Sequence, residues 1–440
     1  MSPFSRRHFL RSAALSAAAV SYSGWMPRLA QSAAGDPARR RHCVLLWMPG
    51  GPSQMDTFDL KPGHTNGGPF MEIATSVPGL KISEHLPKLA AMAKNLAIVR
   101  SLSTAEGDHN RGTYLMHTGH KPGGPISFPT MGSTISKALG ADEAELPNFI
   151  SIAPQASLSS AAYGPGFLGP RHGPLTVGSS VPIPAQPASG GIATLGVDDL
   201  RNPTVNRRQE DARLDLWRTL QSDFLATHGS ASPKAQNTVY ERAVRMMRSE
   251  AAQAFDLAGE SDKVKRAYGP GQFGQGCLMA RRLIERGVPF IEIALRGSGG
   301  VQGWDTHQQN FDRVKTLSAE LDAGWSALMT DLRERGLLEL TTIIWLGEFG
   351  RTPTINPSGG RDHFPRAWTT VLAGGGIQGG GAYGRTSADG ANVAENPVDV
   401  PDVLATLCRA LGFDPATQNI SDLGRPIKIA DGKPIEALLA

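Results

Sequence analysis

Residues 340–346 (Leu-Thr-Thr-Ile-Ile-Trp-Leu) run directly into residues 347–351 (Gly-Glu-Phe-Gly-Arg). A second apolar run at 288–295 (Val-Pro-Phe-Ile-Glu-Ile-Ala-Leu) leads into residues 303–307 (Gly-Trp-Asp-Thr-His). Continuous apolar runs of this length are typical of strands that are buried on both faces of a parallel sheet. Carboxylates and imidazoles just beyond such strands are the groups with which an open α/β sheet binds metal ions and polar substrates.

Helical patterns alternate with these strands. Residues 275–286 predict a helix ended by Gly287, and residues 308–335 predict a long amphipathic helix ended by Gly336. Further buried strands are predicted at 42–48, 96–99 and 368–372, and a further helix at 400–411. We therefore expect an α/β fold, with a central, mostly parallel sheet and helices on both faces.

The amino-acid composition changes after residue 150. Residues 150–199 are rich in Pro, Gly, Ser and Ala and show no periodicity, which predicts long surface loops that shape a substrate rim. Helices are predicted at 207–228 and 238–257. The expected organisation is a single domain over 35–440, with a loop-rich and helical insertion at about 150–270.

The first 34 residues predict an export signal. Arg6 and Arg7 form a twin-arginine pair, an Ala/Ser-rich apolar stretch follows at 12–22, and small residues at 30–34 offer a cleavage region. We expect the twin-arginine machinery to export the chain already folded. The predicted location is periplasmic or extracellular.

This signal also accounts for the net charge. The chain has 44 Lys and Arg against 40 Asp and Glu, and residues 1–34 hold four arginines and no acid. The mature protein is therefore close to neutral, so that we expect no nucleic-acid partner. A membrane span needs roughly 18 consecutive apolar residues. No such run occurs, and we expect no span in the mature chain.

Asp305 and His307 are candidate metal ligands. Alternate side chains of an extended loop share a side, so both can face one ion, and a carboxylate with a neutral imidazole suits zinc, manganese or iron. The alternative is that Asp305 or Thr306 caps the helix that follows.

Glu348 and Arg351 are the next candidates. A carboxylate directly after a fully buried strand is costly unless a cation or hydrogen-bond donors satisfy it. Glu348 is therefore a predicted metal ligand, with a plain ion pair to Arg351 as the alternative. Arg351 is also a candidate for binding an anionic substrate through two parallel hydrogen bonds.

Two histidines and three further carboxylates complete the candidates. His363 is a predicted ligand preceded by Asp362, with a loop histidine held by a neighbouring carboxylate as the alternative. His109 stands near a helix start, where backbone N–H groups favour anions, and a capping or core histidine is the alternative. Asp56 and Asp59 follow the first strand and are possible additional ligands.

Several of these motifs together resemble a known family. They are GGPSQMDTFD at 50–59, HNRGTY at 109–114, GWDTH at 303–307, GEFGRTP at 347–353 and GRDH at 360–363. With the export signal, they resemble an exported bacterial family catalogued as a domain of unknown function, DUF1501. That family is similar in turn to the alkaline phosphatase and sulfatase superfamily. The resemblance spans nearly the whole mature chain.

The superfamily resemblance implies a metal site at the strand ends. It implies that Asp305, His307 and His363 hold a first divalent ion, and that Glu348 stands where a second ion's ligand is expected. Two positions depart from the pattern. Pro49 and Gly50 replace a metal-binding Asp after the first strand, which leaves only Asp56 or Asp59 to compensate. His109 occupies the place of the nucleophile, which in that superfamily is a Ser, Thr or modified Cys.

Two hypotheses about function follow. In the first, the chain is an exported metal-dependent hydrolase of phosphate or sulfate esters, acting on a small-molecule or polysaccharide substrate. Its divalent metal would be zinc, manganese or calcium, with His109 as nucleophile or general acid–base and Arg351 binding the oxyanion. In the second, it is a non-catalytic exported binding or assembly protein that keeps a sulfatase-like fold.

Overall fold

The structure is a computed structural model that describes residues 41–157, 159–178, 191–197, 200, 206–228, 231–297 and 303–440. The predicted signal at 1–34 lies outside the described residues, so export and location stay predictions. Among the described residues, no helix combines the length and the apolar character that crossing a membrane would require.

A large sheet forms the centre of the protein, and small two-stranded sheets surround it. The strands, in chain order, are β1 (His42–Trp47), β2 (Glu72–Ala74), β3 (Lys81–Ser83), β4 (Leu96–Leu102), β5 (Phe149–Ile152), β6 (Leu175–Val177), β7 (Phe290–Ala294), β8 (Thr341–Leu346), β9 (Gly350–Arg351), β10 (His363–Phe364), β11 (Trp368–Gly374), β12 (Gly381–Tyr383), β13 (Arg385–Thr386), β14 (Val393–Glu395), β15 (Gln418–Ile420) and β16 (Pro426–Lys428).

The order of strands in the large sheet is β12-β4-β11-β8-β1-β7-β5-β6. Neighbours from β8 through β6 are all parallel, and β12 is parallel to β4. Only β11 runs the other way, because it is antiparallel to both β4 and β8. The predicted mostly parallel sheet is confirmed.

The helices connect these strands and cover the sheet. They are α1 (Pro87–Ala91), α2 (His109–Thr118), α3 (Met131–Leu139), α4 (Arg207–Thr227), α5 (Ala231–Arg248), α6 (Asp262–Tyr268), α7 (Gln272–Glu285), α8 (Asn310–Glu334) and α9 (Val400–Ala410). Gly287 follows α7 with φ of +85°, a left-handed conformation that glycine adopts without strain. This confirms the predicted end of that helix.

Two apolar cores lie on opposite faces of the sheet. Val44 and Leu46 of β1 face a core that contains side chains of α1, α7 and α8. Leu45 and Trp47 face the other core, with side chains of α2, α3 and α9. The alternation along one buried strand therefore places helices on both faces, as predicted.

The sequence missed three strands of the large sheet. Strands β5 and β6 lie within the stretch predicted to be irregular, and β12 lies in a glycine-rich segment interpreted as a loop. Each has only three or four residues, so that periodicity has too little length to appear. The helix predicted at 238–257 lies earlier in the chain, because α5 spans Ala231–Arg248 and a 3₁₀ segment follows at Glu250–Phe255.

The parallel strands β7, β1 and β8 determine where functional side chains can come together. The carboxyl ends of β1, β7 and β8 lie side by side at one edge of the sheet. Strands β9 and β10 pair antiparallel just beyond that edge, with Arg351 opposite His363. The loops that follow these strands therefore converge on one place.

The central position of β1 leads to a test of core packing. Replacing Leu46, which is fully buried, by Ala removes contacts and leaves a cavity, so that we expect a loss of about 2–5 kcal/mol in the free energy of unfolding. Ile420→Ala, at a side chain that is 64% exposed, should cost less than about 0.5 kcal/mol. Urea unfolding of both variants checks this, and equal losses would contradict the assignment of β1 to the core.

Candidate metal centre

Two loops, one short strand and one helix bring the candidate residues together. Asp305 and His307 lie between β7 and α8, Glu348 directly follows β8, and His363 is in β10. His109 is the first residue of α2, which begins there because the Asp108 side chain accepts a hydrogen bond from the Arg111 backbone N–H, at 3.1 Å. The sequence therefore predicted the convergence of four elements that are far apart along the chain.

A glycine allows α2 to approach the end of β8. A Cβ atom at Gly112 would lie 3.2 Å from the Cβ of Glu348 and 3.3 Å from its backbone oxygen, closer than most such contacts. Because glycine lacks that atom, the first turn of α2 rests on Glu348. This close packing places His109 beside the carboxylate.

One carboxylate oxygen is the centre of the cluster. Asp305 Oδ1 lies 3.2 Å from His307 Nε2, 3.4 Å from His109 Nε2 and 3.4 Å from His363 Nε2. The Nε2 atoms of His307 and His363 are 3.1 Å apart. Three imidazoles thus turn the same ring nitrogen toward a single carboxylate.

The opposite nitrogen of each ring is held by an acceptor. The Nδ1 atom of His109 lies 2.6 Å from Glu348 Oε1, that of His307 lies 2.7 Å from Asp362 Oδ1, and that of His363 lies 2.8 Å from the carbonyl oxygen of Gly107. A carbonyl or carboxylate oxygen only accepts, so each Nδ1 carries the proton and donates a hydrogen bond. The Nε2 lone pairs are therefore available on the side of Asp305.

Glu348 lies behind His109. Its Oε1 accepts hydrogen bonds from His109 and from the backbone N–H of Gly50, at 2.8 Å, and the residue is 0% exposed. Its Oε2 has no hydrogen-bond partner within the described residues. Glu348 as a direct ligand stays a prediction, and in the structure its Oε1 holds the ring of His109, which faces the centre.

Arg351 lies beneath Asp305. Its guanidinium is fully buried, and it donates to Asp305 and to the carbonyl oxygens of Gly50, Gly51 and Arg361. The Nε–Gly51 and Nη1–Arg361 distances are both 3.1 Å. These contacts fix the loops around the centre. Binding of a substrate oxyanion by Arg351 stays a prediction, and the contacts described here favour a positioning role instead.

Asp56 and Asp59 are engaged in other ion pairs. Asp56 holds Arg361 through two hydrogen bonds of 2.8 and 3.1 Å, and both side chains are fully buried. Asp59 lies 2.9 Å from Lys61 Nζ. Neither carboxylate belongs to the group of donors around Asp305. The structure places them where they brace the loops, away from the group to which the sequence assigned them as possible ligands.

The charges around Asp305 set two pKa values. Burial alone would raise the pKa of Asp305, but contacts with His109 and His363 and the charge of Arg351 outweigh it and hold the pKa well below its ordinary value. Burial alone would lower the pKa of His109, and the carboxylates of Asp305 and Glu348 outweigh it and raise the pKa to about 9. Without an ion, His109 therefore carries a positive charge at neutral pH.

The donor set fits a divalent metal ion. Ligand atoms of His109, Asp305 and His363 lie within 4.8 Å of one another, as atoms that share one ion must. His109 Nε2 is buried and, among the residues described, has no partner with hydrogen-bond geometry. Imidazole and carboxylate ligands suit zinc or manganese, whereas calcium prefers an all-oxygen set.

Some residues that shape the centre gave no recognisable signal in the sequence. The Gly107 carbonyl holds His363, and Asn310 donates to Asp56 at 2.8 Å. A backbone acceptor has no signature in the sequence, and Asn310 resembles any polar residue at a helix start. Gly360 is evident in the sequence, but its close approach to His307 is not. A Cβ atom at this position would lie 2.0 Å from the carbonyl oxygen of His307.

The pKa of His109 leads to a pH test on metal-free protein. A folded-state value of about 9, above the ordinary 6.5, means that the protonated ring stabilises the fold at and below pH 6.5. That contribution is lost as pH rises through 9. We expect chelator-treated protein to lose stability between about pH 6 and about pH 10, and His109→Gln to lose less. Urea midpoints at both pH values check this, and identical losses in the two proteins would refute it.

Comparison with known proteins gives one family and several distant structures. No curated protein matches the chain. Among solved structures, the lipoteichoic acid synthase LtaP from Listeria monocytogenes is 8% identical, with a TM-score of 0.37 over 94% of this chain and 82% of that one. A protein in the alkaline phosphatase superfamily from Vibrio parahaemolyticus is 12% identical, with a TM-score of 0.37 over 91% and 78%. The PsFucS1 sulfatase from Pseudoalteromonas sp. is 13% identical, with a TM-score of 0.36 over 85% and 68%.

The family match covers almost the whole chain, whereas the solved structures are only distantly similar to it. The family described as "Protein of unknown function (DUF1501)" matches residues 40–439, which include all the residues of the centre. This confirms the family that the sequence motifs resembled. The chain belongs to the DUF1501 family.

Proposed function

We propose that this chain is an exported metal-dependent hydrolase of phosphate or sulfate esters. The observation that carries the proposal is the convergence of three Nε2 atoms on Asp305 Oδ1, at 3.2–3.4 Å. The Nδ1 atom of each of these rings donates a hydrogen bond to an oxygen on the opposite side. Side chains that only packed against their neighbours or capped helices would have no reason to face one another in this way. The class of ester comes from the resemblance of the sequence motifs.

We assign the ion to His109, Asp305 and His363. Catalytic metal sites commonly use three protein ligands and leave a further position for water or substrate. A divalent ion there would supply a more acidic bound water and neutralise negative charge that develops on the ester. Glu348 and the Gly107 carbonyl would fix the orientation of the two rings, and Arg351 that of Asp305.

His307 is the best candidate for proton transfer. Its side chain is 46% exposed, the most open of the three histidines, so that its Nε2 can reach both solvent and a bound ester. Asp362 accepts a hydrogen bond from its Nδ1, and this bond holds the pKa of Asp362 below its ordinary value. An imidazole oriented by a carboxylate is a common general acid–base arrangement.

The alternative is a non-catalytic protein that keeps the same centre for binding or assembly. It is favoured by one observation, the presence of His109 rather than a hydroxyl-bearing residue at the start of α2. A histidine held by Glu348 and facing an ion is not available to attack an ester. Export of either kind of protein rests on the twin-arginine sequence alone.

Metal content gives the first test. We expect natively exported protein to carry one divalent ion, and His363→Ala to lose it because a direct ligand is removed. Glu348→Gln should keep the fold and weaken the affinity for the ion by about 10–100-fold, as loss of a ring-orienting carboxylate does. Elemental analysis and chelator competition measure this. Glu395→Gln, at an exposed glutamate, is the control. Stoichiometric metal in His363→Ala would contradict the ligand assignment.

Hydrolysis separates His307 from the ligands. With aryl phosphates and aryl sulfates, we expect His307→Gln to retain the ion and to lose about 10²–10⁴-fold in kcat, the usual contribution of a general acid–base. Loss of the ion together with activity would instead make His307 a ligand. Metal-replete protein that hydrolyses neither class of ester would favour the non-catalytic alternative.

A further inference from the structure

A second polar site lies at the same edge of the sheet as the metal centre. A cavity of about 390 Å³ opens at the carboxyl ends of β5 and β6, next to the end of β7. The side chains with polar groups that line it are hydroxyls and one guanidinium: Ser151, Ser157, Tyr163, Thr176 and Arg296. No carboxylate of the described residues lines this cavity.

Arg296 is the only charged residue in the lining. It is half-buried, and burial lowers its pKa, which is the sign of a cation removed from water. Within the described part of the chain it makes no ion pair or hydrogen bond, whereas Arg351 and Arg361 nearby are fully engaged. A guanidinium that faces a cavity with its donors unused is suited to binding an oxyanion.

Two buried hydroxyls point to the same kind of ligand. Ser151 is fully buried, and its hydroxyl oxygen has no hydrogen-bond partner among the residues that the structure describes. Tyr163 is 8% exposed, and the backbone of Gln155 comes close to its hydroxyl without the geometry of a full hydrogen bond. Burial raises the pKa of Tyr163 well above its ordinary value, and the charges of Glu292 and Glu348 add to this. The phenol therefore keeps its proton and can donate it.

A buried acid close to these groups, Glu292, lies outside the lining. Glu292 of β7 is paired in register with Ser151 of β5 and is fully buried. Its Oε1 is 3.5 Å from Nε2 of His117, whose Nδ1 in turn lies 2.9 Å from the Thr113 carbonyl oxygen. Neither oxygen of Glu292 has a hydrogen-bond partner within the described residues, and this carboxylate does not line the cavity, whereas the guanidinium and the hydroxyls do.

The cavity and the metal centre share one loop. Arg296 lies just after β7, and Asp305 lies nine residues further along the same connection. The two described ends of that connection touch, since a Cβ atom on Gly297 would lie 3.4 Å from the Cα of Gly303. Tyr163 also senses the charge of Glu348, the residue that orients His109. The cavity and the metal centre are therefore neighbours at the carboxyl end of the sheet.

We propose that this cavity binds a second oxyanion of the substrate, through Arg296 and the hydroxyls of Tyr163 and Ser151. The substrate would then carry at least two anionic groups, one at the metal centre and one here. The identity of the first group as a scissile ester rests on the proposed function. The binding of the second does not.

Binding of inorganic sulfate tests the cavity without any reaction. Calorimetric titration at constant ionic strength should show that Arg296→Gln weakens sulfate binding by about tenfold or more, as loss of a charge-assisted hydrogen bond does. Tyr163→Phe, which removes only a hydroxyl, should weaken it by about 2–10-fold. Arg286→Gln, at an exposed arginine before the amino end of β7, is the matched control and should bind as the parent does.

A metal-centre variant separates the two anion positions. His363→Ala, freed of its ion, should still bind sulfate and should lose that binding when combined with Arg296→Gln. Sulfate binding that depends on His363 and not on Arg296 would overturn the proposal, because the anion would then lie at the metal centre. Unchanged binding in Arg296→Gln would overturn it as well. If Arg296→Gln fails to fold, the comparison of Tyr163→Phe with its parent decides.

Kinetics then connect the cavity with the reaction. Arg296→Gln should lower kcat/KM by about tenfold or more for an aryl ester that bears a second anionic group, and leave an otherwise neutral aryl ester unaffected. An equal effect on both esters would overturn the assignment of the second anion to this cavity. If neither ester is hydrolysed but sulfate binding needs Arg296, the cavity is an anion site and the proposed hydrolase activity is wrong.

Discussion

The arrangement of the metal centre depends on the buried guanidinium of Arg351. It joins the loop after β1, through the carbonyl oxygens of Gly50 and Gly51, to Asp305 after β7 and to the segment before β10. A charge removed from water at this depth is costly unless all its donors are paired. The three loops are therefore held in the one arrangement that satisfies Arg351, and Asp305 is held where the histidines meet it.

The histidines depend on a second layer of acceptors that differ in kind. A buried glutamate holds His109, an exposed aspartate holds His307 and a backbone carbonyl holds His363. This gives three similar rings different surroundings, from the enclosed Glu348 to the open side near Asp362, whose side chain is 55% exposed. Residues of one type can thus divide the tasks of binding an ion and moving a proton.

Much of this organisation could be predicted from the sequence. The features that could not be predicted leave no local pattern in the sequence, for physical reasons. Long apolar runs such as the one that became β8 reveal the buried parallel strands, and a carboxylate placed directly after such a run marks the functional edge. The partner of Glu348 could not be deduced, because His109 lies 239 residues away and reaches it only through the packing of α2. The short strands β5 and β6 were missed for lack of length, and with them the cavity beside Arg296.

The absence of a side chain at Gly360 has a consequence for ion choice. The backbone of that residue lies directly on the carbonyl oxygen of His307, so that the segment leading to His363 and the segment carrying Asp305 are stacked without a gap. Two segments already in contact cannot move closer together around a smaller ion. The centre should therefore hold a cation that is too small for its present spacing less tightly than one that matches it.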